Sequence, residues 1–166
     1  MTDSLAERVA NLEAIEQIKA LKYRYWRACD GKDPAGFSAC FVSEDAVIDY
    51  GRMGSFTDAA PMVDVFRRFA CAEVDEQYVV LDMHHGTHPD IEITGDGTAR
   101  GRWSLQFRQI NVMNRTETLA VGEYVDEYVR VDGRWLMSVC RFTEQWWHVR
   151  ALGEDEKVMQ GQVSVN

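Results

Sequence analysis

Apolar side chains near the start of the chain recur at steps of three and four residues, which is the spacing of one helical face. The positions are Leu5, Val9, Leu12, Ile15, Ile18, Leu21, Tyr25 and Cys29. The pattern predicts one long helix that Gly31 ends.

Shorter elements follow the long helix. The stretch "DPAGFSACF" predicts a short helix with Asp33 as N-cap and Pro34 at its first position. "DAVIDY" alternates like a strand, and "SFTDAAPMVDVFRRFACA" predicts a third helix with Met62, Phe66 and Phe69 on one side.

From about Gln77 the apolar positions change to a period of two, which is typical of strands. "YVVLDMHH" and "DIEIT" read as strands with a break near Gly86 to Pro89, and two long alternating runs and a last strand, "RWLMSVCRFTEQWWHV", follow. The dipeptide "DG" at 132–133 predicts a tight hairpin.

Helices early and strands late indicate the α+β class. We expect a strongly curved antiparallel sheet that wraps over the N-terminal helices and leaves a cavity between the two layers. The 166 residues are expected to form a single domain, 1–166, with a core of about 10–148 and a polar C-terminal tail.

The charge balance narrows the range of partners. The net charge of −9 disfavours nucleic acid and anionic membrane surfaces, so a small molecule is the expected partner. The N-terminus lacks the basic and apolar regions of a signal peptide, and the four cysteines lack metal-clip or redox spacing. Reduced cysteines that act as small core residues, in a cytoplasmic protein, are therefore expected.

Three of the four histidines lie in "MHHGTHPD", residues 83–90. They could bind a metal, supply loop polarity, or include one catalytic base. His84 and His85 are adjacent on a strand and point to opposite faces, which argues against a shared metal ion. Because no HxH or ExxH spacing occurs either, we predict no metal site.

Asp30 is unusual because it is expected in the last helical turn, where the helix dipole disfavours an acid. It is either a turn residue of "DGKD" or an acid that points into the concavity of the sheet. Tyr25, on the apolar helix face, and Tyr50, after "VID", are either core tyrosines or hydroxyl donors in that concavity.

Five motifs together resemble the SnoaL-like group of the nuclear-transport-factor-2-like superfamily. They are "YRYWRACDGKD", "VIDYG", "HHGT", "GRW" and "EYVDEYVRVDGRW", and the resemblance covers roughly residues 10–148. Scytalone dehydratase, bile acid 7α-dehydratase and the hexachlorocyclohexane dehydrochlorinase are the members that it resembles most.

That resemblance implies a conical fold with a deep pocket and an aspartate–histidine dyad, which Asp30 and His84 match by position. Tyr25 matches a tyrosine of the bile acid enzyme, and Tyr50 matches a substrate-binding tyrosine of scytalone dehydratase. No cofactor is implied, and His85 and His88 are expected to be bystanders.

The middle strand departs from the family pattern, because "GRWSLQFRQ" carries no second histidine or acid. Gln106 or Arg108 is a candidate replacement. The last strand carries Phe142, Trp146 and Trp147. These aromatic residues either pack in the core or line a pocket for a flat apolar substrate. The candidate substrate-binding residues are Tyr50, Trp103, Gln106, Arg108, Arg141, Phe142 and Trp146.

The sequence thus predicts a cofactor-independent, metal-independent lyase that acts on an aromatic or steroid-like molecule, as a dehydratase or as a formaldehyde-releasing retro-aldol enzyme. The alternatives are a ketosteroid-isomerase-like isomerase, a polyketide cyclase, or a non-enzymatic binding module. Apolar positions on the expected outer face, at Leu119, Val121, Val125 and Val129, favour a homo-oligomer, a trimer rather than a dimer.

Overall fold

The computed structural model describes residues 4–161. Helix α1, Leu5–Asp30, begins at Ser4, whose hydroxyl accepts from the Glu7 amide while the Glu7 carboxylate accepts from the Ser4 amide. Gly31 caps its end, as predicted. Only the second half of the apolar face is buried: Leu5 is 74% exposed and Leu12 63%, because no element of the described chain covers the first turns.

Two shorter helices complete the helical layer. Helix α2, Pro34–Ser38, has the predicted N-cap Asp33, and helix α3, Ala59–Phe69, is capped by Asp58. Met62 and Phe66, two of the three residues predicted on one side of this helix, are buried. Phe69 ends the helix and is 61% exposed, beyond the layer that the other two residues contact.

The sheet has six strands and is mixed. Its strands are β1 Val47–Asp49, β2 Ser55–Phe56, β5 Val80–Gly95, β6 Thr98–Asn111, β7 Thr116–Val131 and β8 Arg134–Ala151, while β3 Glu73–Val74 and β4 Gln77–Tyr78 form a separate pair. The order is β2-β1-β8-β7-β6-β5. The expectation of a purely antiparallel sheet was wrong in one place, since β1 runs parallel to β8.

Two local predictions on the strands have clear outcomes. Asp132 and Gly133 take φ angles of 49° and 78°, the conformation of a two-residue type I′ hairpin, as predicted. The predicted break at Gly86 to Pro89 is instead a bulge within one continuous strand, with the pairing shifted between Thr87 and Asp90 and with His88 at φ 53°.

One face of the sheet, called here the inner face, packs on the helices. On β6 and β7 it carries alternate buried residues, including Trp103, Leu105, Tyr124, Asp126 and Tyr128. The intervening residues form the outer face. This arrangement confirms the predicted α+β class with N-terminal helices over a curved, open sheet. No helix within residues 4–161 is both long enough and apolar enough to cross a membrane.

Candidate active site

Asp30 and His84 meet where the end of α1 crosses β5. Oδ1 of Asp30 lies 2.5 Å from Nδ1 of His84, and Oδ2 accepts from the His84 backbone amide at 3.1 Å. The strand β5 is at the edge of the sheet, so this amide is free of the β6 ladder and Asp30 satisfies it. The carboxylate therefore holds both the ring and the backbone of one residue.

This contact fixes the chemistry of the imidazole. An ionised carboxylate can only accept, so Nδ1 is the donor in this contact, and in a neutral imidazole the lone pair is then on Nε2. Nε2 has no hydrogen-bond partner among residues 4–161. The His84 side chain is 14% exposed and that of Asp30 is 22% exposed, so the pair is only partly buried. The arrangement is that of an oriented general base.

Gly86 and Phe107 position the His84 ring. A Cβ at Gly86 would fall inside the Trp26 ring, so glycine is what allows α1 to lie this close to β5. The ring of Phe107, opposite His84 on β6, has its centroid 4.7 Å from the imidazole centroid. The dyad is thereby held between a helix end and an aromatic wall.

The other two histidines of the cluster are outside the site. His85 is exposed on the outer face, as strand alternation requires, and His88 lies in the bulge with its Nδ1 3.1 Å from the Thr87 hydroxyl. Within residues 4–161, no three His, Cys, Asp or Glu side chains are grouped as metal ligands.

Tyr25 and Tyr50 are both buried, at 2% and 8% exposure, and their hydroxyl oxygens are 2.6 Å apart. Burial, with Tyr124 and Cys140 nearby, raises the pKa of both phenols well above the ordinary value. They therefore stay protonated and remain able to donate. Tyr25 packs against Phe37, Phe41 and Tyr124, so aromatic side chains fill the interior at this point.

One row of the inner face runs from the dyad across the next three strands. Register places His84, Phe107, Ala120 and Trp147 in this row, which spans about 14 Å at three strand spacings. Ala120 is buried, at 4% exposure. Trp147 is 47% exposed, and the Arg52 guanidinium lies 4.4 Å from its ring centroid. The row is an apolar wall beside the base.

Four of the predicted substrate-binding residues do not face this row. Gln106 and Arg108 flank Phe107 and lie on the outer face, where Arg108 pairs with Glu117. Arg141 flanks Phe142 and is exposed on the outer face. Trp146 also lies there, since a bulge at Gln145 shifts the alternation and turns Trp147 inward instead.

Two other predicted residues face inward but are packed. Phe142 lies against Tyr124, with ring centroids 4.9 Å apart. Trp103 is 1% exposed, and its indole donates to the Tyr128 hydroxyl at 2.9 Å. Trp103 therefore supports the core and does not line an open surface.

A buried ion pair lies between α1 and β7 that the sequence analysis missed. Lys22 Nζ is 2.7 Å from Asp126 Oδ2, and both side chains are fully buried. The Lys22 ammonium also lies 3.6 Å from the Tyr124 ring centroid, and the Tyr128 hydroxyl donates to Asp126. The signal was present: Lys22 lies on the helical stripe between Ile18 and Tyr25, and Asp126 alternates with Tyr124 and Tyr128.

A second buried pair adjoins the dyad and was also missed. Lys32 binds Asp82 Oδ2, and Gln109 Nε2 donates to Asp82 Oδ1 at 2.8 Å. Asp82 alternates with His84 on the inner face of β5, which is the pattern that could have revealed it.

Two surface cavities lie away from the dyad. One, of about 460 Å³, is on the outer face under the C-terminal segment, between Met83, Arg108 and Met159. The other, of about 750 Å³, lies between α2, α3 and the β7–β8 hairpin. Neither is lined by Asp30 or His84, so size alone does not select the site; the chemistry of the dyad does.

Known proteins match this chain over most of its length. The family model described as SnoaL-like domain matches residues 10–141. Among solved structures, a scytalone dehydratase-like protein of Novosphingobium aromaticivorans is 20% identical with a TM-score of 0.73, and covers 90% of this chain and 97% of its own.

Two further structures share the fold. Hexachlorocyclohexane dehydrochlorinase LinA-type3 of Novosphingobium barchaimii is 18% identical with a TM-score of 0.73, over 95% of this chain and 100% of its own. ActVI-ORFA of Streptomyces coelicolor is 19% identical with a TM-score of 0.64, over 81% and 98%. At these identities the likeness concerns the fold.

Proposed function

The chain belongs to the SnoaL-like domain family, and we propose that it is a cofactor-independent lyase in which His84 is the general base. The observation that carries the proposal is the 2.5 Å contact between Asp30 and His84, which uses Nδ1 and leaves Nε2 without a hydrogen-bond partner among residues 4–161. The two neighbours that are named for dehydration and dehydrochlorination share its fold, which supports an elimination reaction.

In the proposed reaction Nε2 of His84 takes a proton from a substrate C–H bond. The electron pair of that bond forms the new double bond, and the leaving group departs with its own bonding pair. Asp30 stabilises the imidazolium that forms, and it keeps the ring in the productive tautomer. If the leaving group is hydroxide, the imidazolium can return the proton to it, which gives water and restores the neutral base.

A retro-aldol cleavage uses the same base on a different proton. Nε2 removes the proton of a hydroxyl, the carbon–carbon bond breaks as the carbonyl forms, and the carbanionic fragment takes up a proton. Formaldehyde is the released fragment when the hydroxyl is a primary alcohol. The sequence of steps needs no cofactor.

The wall beside the base indicates the class of substrate. Phe107, Ala120 and Trp147 form an apolar row about 10 Å long at two strand spacings, which suits a flat aromatic or steroid-like molecule. We propose Tyr25 and Tyr50 as donors to a substrate oxygen, since burial keeps both phenols protonated. Substrate has to displace aromatic packing to reach them.

An isomerase or polyketide cyclase is the second candidate. The Tyr25–Tyr50 pair favours it, because a protonated pair of hydroxyls can hold an enolate without any leaving group. A non-enzymatic binding module has no need for Asp30 to orient His84. The contact between these two residues therefore disfavours a purely binding function.

The proposal is tested by a panel of hydroxylated aromatic, steroidal and lignin-derived compounds offered to purified protein. We expect turnover by wild type and by His85→Ala, loss with His84→Ala, and no effect of a chelator. Loss of a leaving group in the product identifies a lyase, and an isomeric product identifies the second candidate. Turnover that survives in His84→Ala contradicts both.

A further inference from the structure

The Lys32–Asp82 ion pair crosses the same gap between helix end and strand as the dyad does. Lys32 lies two residues after Asp30, and Asp82 lies two residues before His84 on the same face of β5. Their side chains are only 2% and 6% exposed. The end of α1 and strand β5 are thus joined by two contacts. In the dyad the acid, Asp30, belongs to the helix, and in the ion pair the acid, Asp82, belongs to the strand.

The backbone at Lys32 is in a conformation that glycine adopts more easily. Lys32 has φ 59°, in the left-handed region, while the neighbouring Gly31 has an ordinary φ of −79°. In this turn the left-handed position, where glycine has the lowest conformational energy, is occupied by Lys32, and the glycine is its neighbour Gly31. The lysine at this position is buried and paired with Asp82, which gives its side chain a role that glycine could not fill.

The charges around His84 explain what this side chain does. Asp82 and His84 project from the same face at about 7 Å, twice the rise per residue. A lone carboxylate at that distance favours the imidazolium, and the Lys32 ammonium cancels this effect.

The other elements packed around His84 add little charge of their own. Helix α1 contributes Asp30 and the buried Cys29 thiol, whose pKa is raised by burial and then by Asp30 and Asp82. The inward residues of β6, β7 and β8 nearest the dyad are Phe107, Gln109, Thr118, Ala120, Trp147 and Val149, and none is ionisable. At the far end of the row, Arg52 lies over Trp147 and is paired with the inward Glu144 of β8. Lys22 is already paired with Asp126.

We propose that Lys32 and Asp82 are positioning residues of the dyad, which fix the end of α1 against β5 and keep the charge beside His84 balanced. The inference deepens the proposed function, because it concerns the same base.

The test is the titration of the His84 ring followed by NMR, in the absence of any substrate. Wild type is compared with Lys32→Met, Asp82→Asn and the double variant, and His84→Gln identifies the signal. We expect the midpoint to rise by about half a pH unit or more in Lys32→Met, from the Coulomb interaction across about 7 Å. It should fall in Asp82→Asn and return to within about 0.2 of wild type in the double variant.

Two more variants separate charge from turn geometry. Lys32→Arg keeps the charge and should leave the midpoint unchanged, while Lys32→Gly suits the backbone but should raise the midpoint as Lys32→Met does. The His148 signal, on the outer face of β8, should move in none of them. If Lys32→Met does not fold, Asp82→Asn and the double variant decide by the same criteria.

The outcomes that overturn the inference are distinct from those that overturn the proposed function. The inference is overturned if the His84 midpoint stays fixed, or if it moves in the same direction in both single variants. The Lys32–Asp82 pair would then only hold the end of α1 against β5. If the midpoints move in the expected order while no compound is turned over, the inference stands and the lyase proposal fails.

Discussion

The absence of a side chain at residue 86 decides how closely α1 approaches the dyad strand. The Trp26 ring occupies the space that a Cβ would need, and the same helix delivers Asp30 one turn later. The packing of Trp26 at Gly86 and the position of Asp30 beside His84 are therefore coupled through a single helix.

Replacement of this glycine should be costly. We expect Gly86→Ala to lower the free energy of unfolding by about 1–3 kcal/mol, because Trp26 has to move. Gly161→Ala is the matched control, since its added Cβ meets nothing within 4 Å and should change stability little. Urea unfolding of the two variants gives the comparison; equal stabilities would show that the Trp26 ring shifts freely.

Glu117 gives a second prediction at the scale of one residue. Burial opposes its ionisation, but hydrogen bonds from Arg108 and Arg150 outweigh burial and hold the pKa of Glu117 below its ordinary value of 4.5. The contacts of Glu117 with Arg108 and Arg150 therefore add stability that is fully present above pH 4.5. This stability is lost as the pH falls through the lowered pKa of Glu117.

The Glu117→Gln variant should therefore be less stable than wild type at pH 7 by up to about 1 kcal/mol, because both arginines are largely exposed. The difference should vanish in acid. Glu127→Gln, on the same face of the same strand, should show no such pH-dependent difference. Thermal melts from pH 7 to pH 3 provide the measurement. If the stability difference between wild type and Glu117→Gln grows in acid, the prediction is contradicted.

At the scale of elements, the buried pair Lys22–Asp126 joins α1 to β7. Both charges are fully buried, the Tyr128 hydroxyl supports Asp126, and the Tyr124 ring faces the ammonium. Such a pair stabilises little by itself, but removal of one partner leaves an uncompensated charge in the core.

We therefore expect Lys22→Met to destabilise the protein by about 3–5 kcal/mol. The double variant Lys22→Met with Asp126→Leu should recover much of that loss, because both charges are then gone. Chemical unfolding of single and double variants measures the coupling. If the losses simply add, the pair does not act as a unit.

The elements show how far sequence patterns reach. Periodicity and capping residues predicted α1, both shorter helices and the hairpin at 132–133, because these features depend on neighbours along the chain. The bulges at His88 and Gln145 were not predictable, and the second of them exchanged Trp146 for Trp147 on the inner face. Lys22 and Lys32 were missed because their partners are remote in sequence.

At the scale of the whole molecule, the outer face carries Val125, which alternation predicted there and which is 42% exposed. Trp146, 51% exposed, lies on the same face because of the bulge at Gln145. The first half of α1 offers a separate exposed stripe at Leu5, Val9 and Leu12. Two surfaces are thus available for association, and the oligomeric state stays a prediction.

We expect a trimer, with the outer face as the contact surface. Light scattering should give about three times the 19.0 kDa of one chain at micromolar concentration. Val125→Glu should shift the mass toward that of the monomer, whereas Leu12→Glu should not. A monomeric wild type contradicts the prediction, and dissociation by Leu12→Glu alone moves the interface to α1.

The central claim is that Asp30 and His84 act as one general base, and a double-mutant cycle of turnover tests it most directly. On the first compound that wild type converts, His84→Ala should lower kcat by about 100-fold or more, and Asp30→Asn should also impair it strongly. The double variant should be little worse than His84→Ala, because the two residues form one unit. His85→Ala and His88→Ala should stay near wild type. Independent, multiplicative losses, or activity that depends on His85 or His88 and not on His84, would contradict the account.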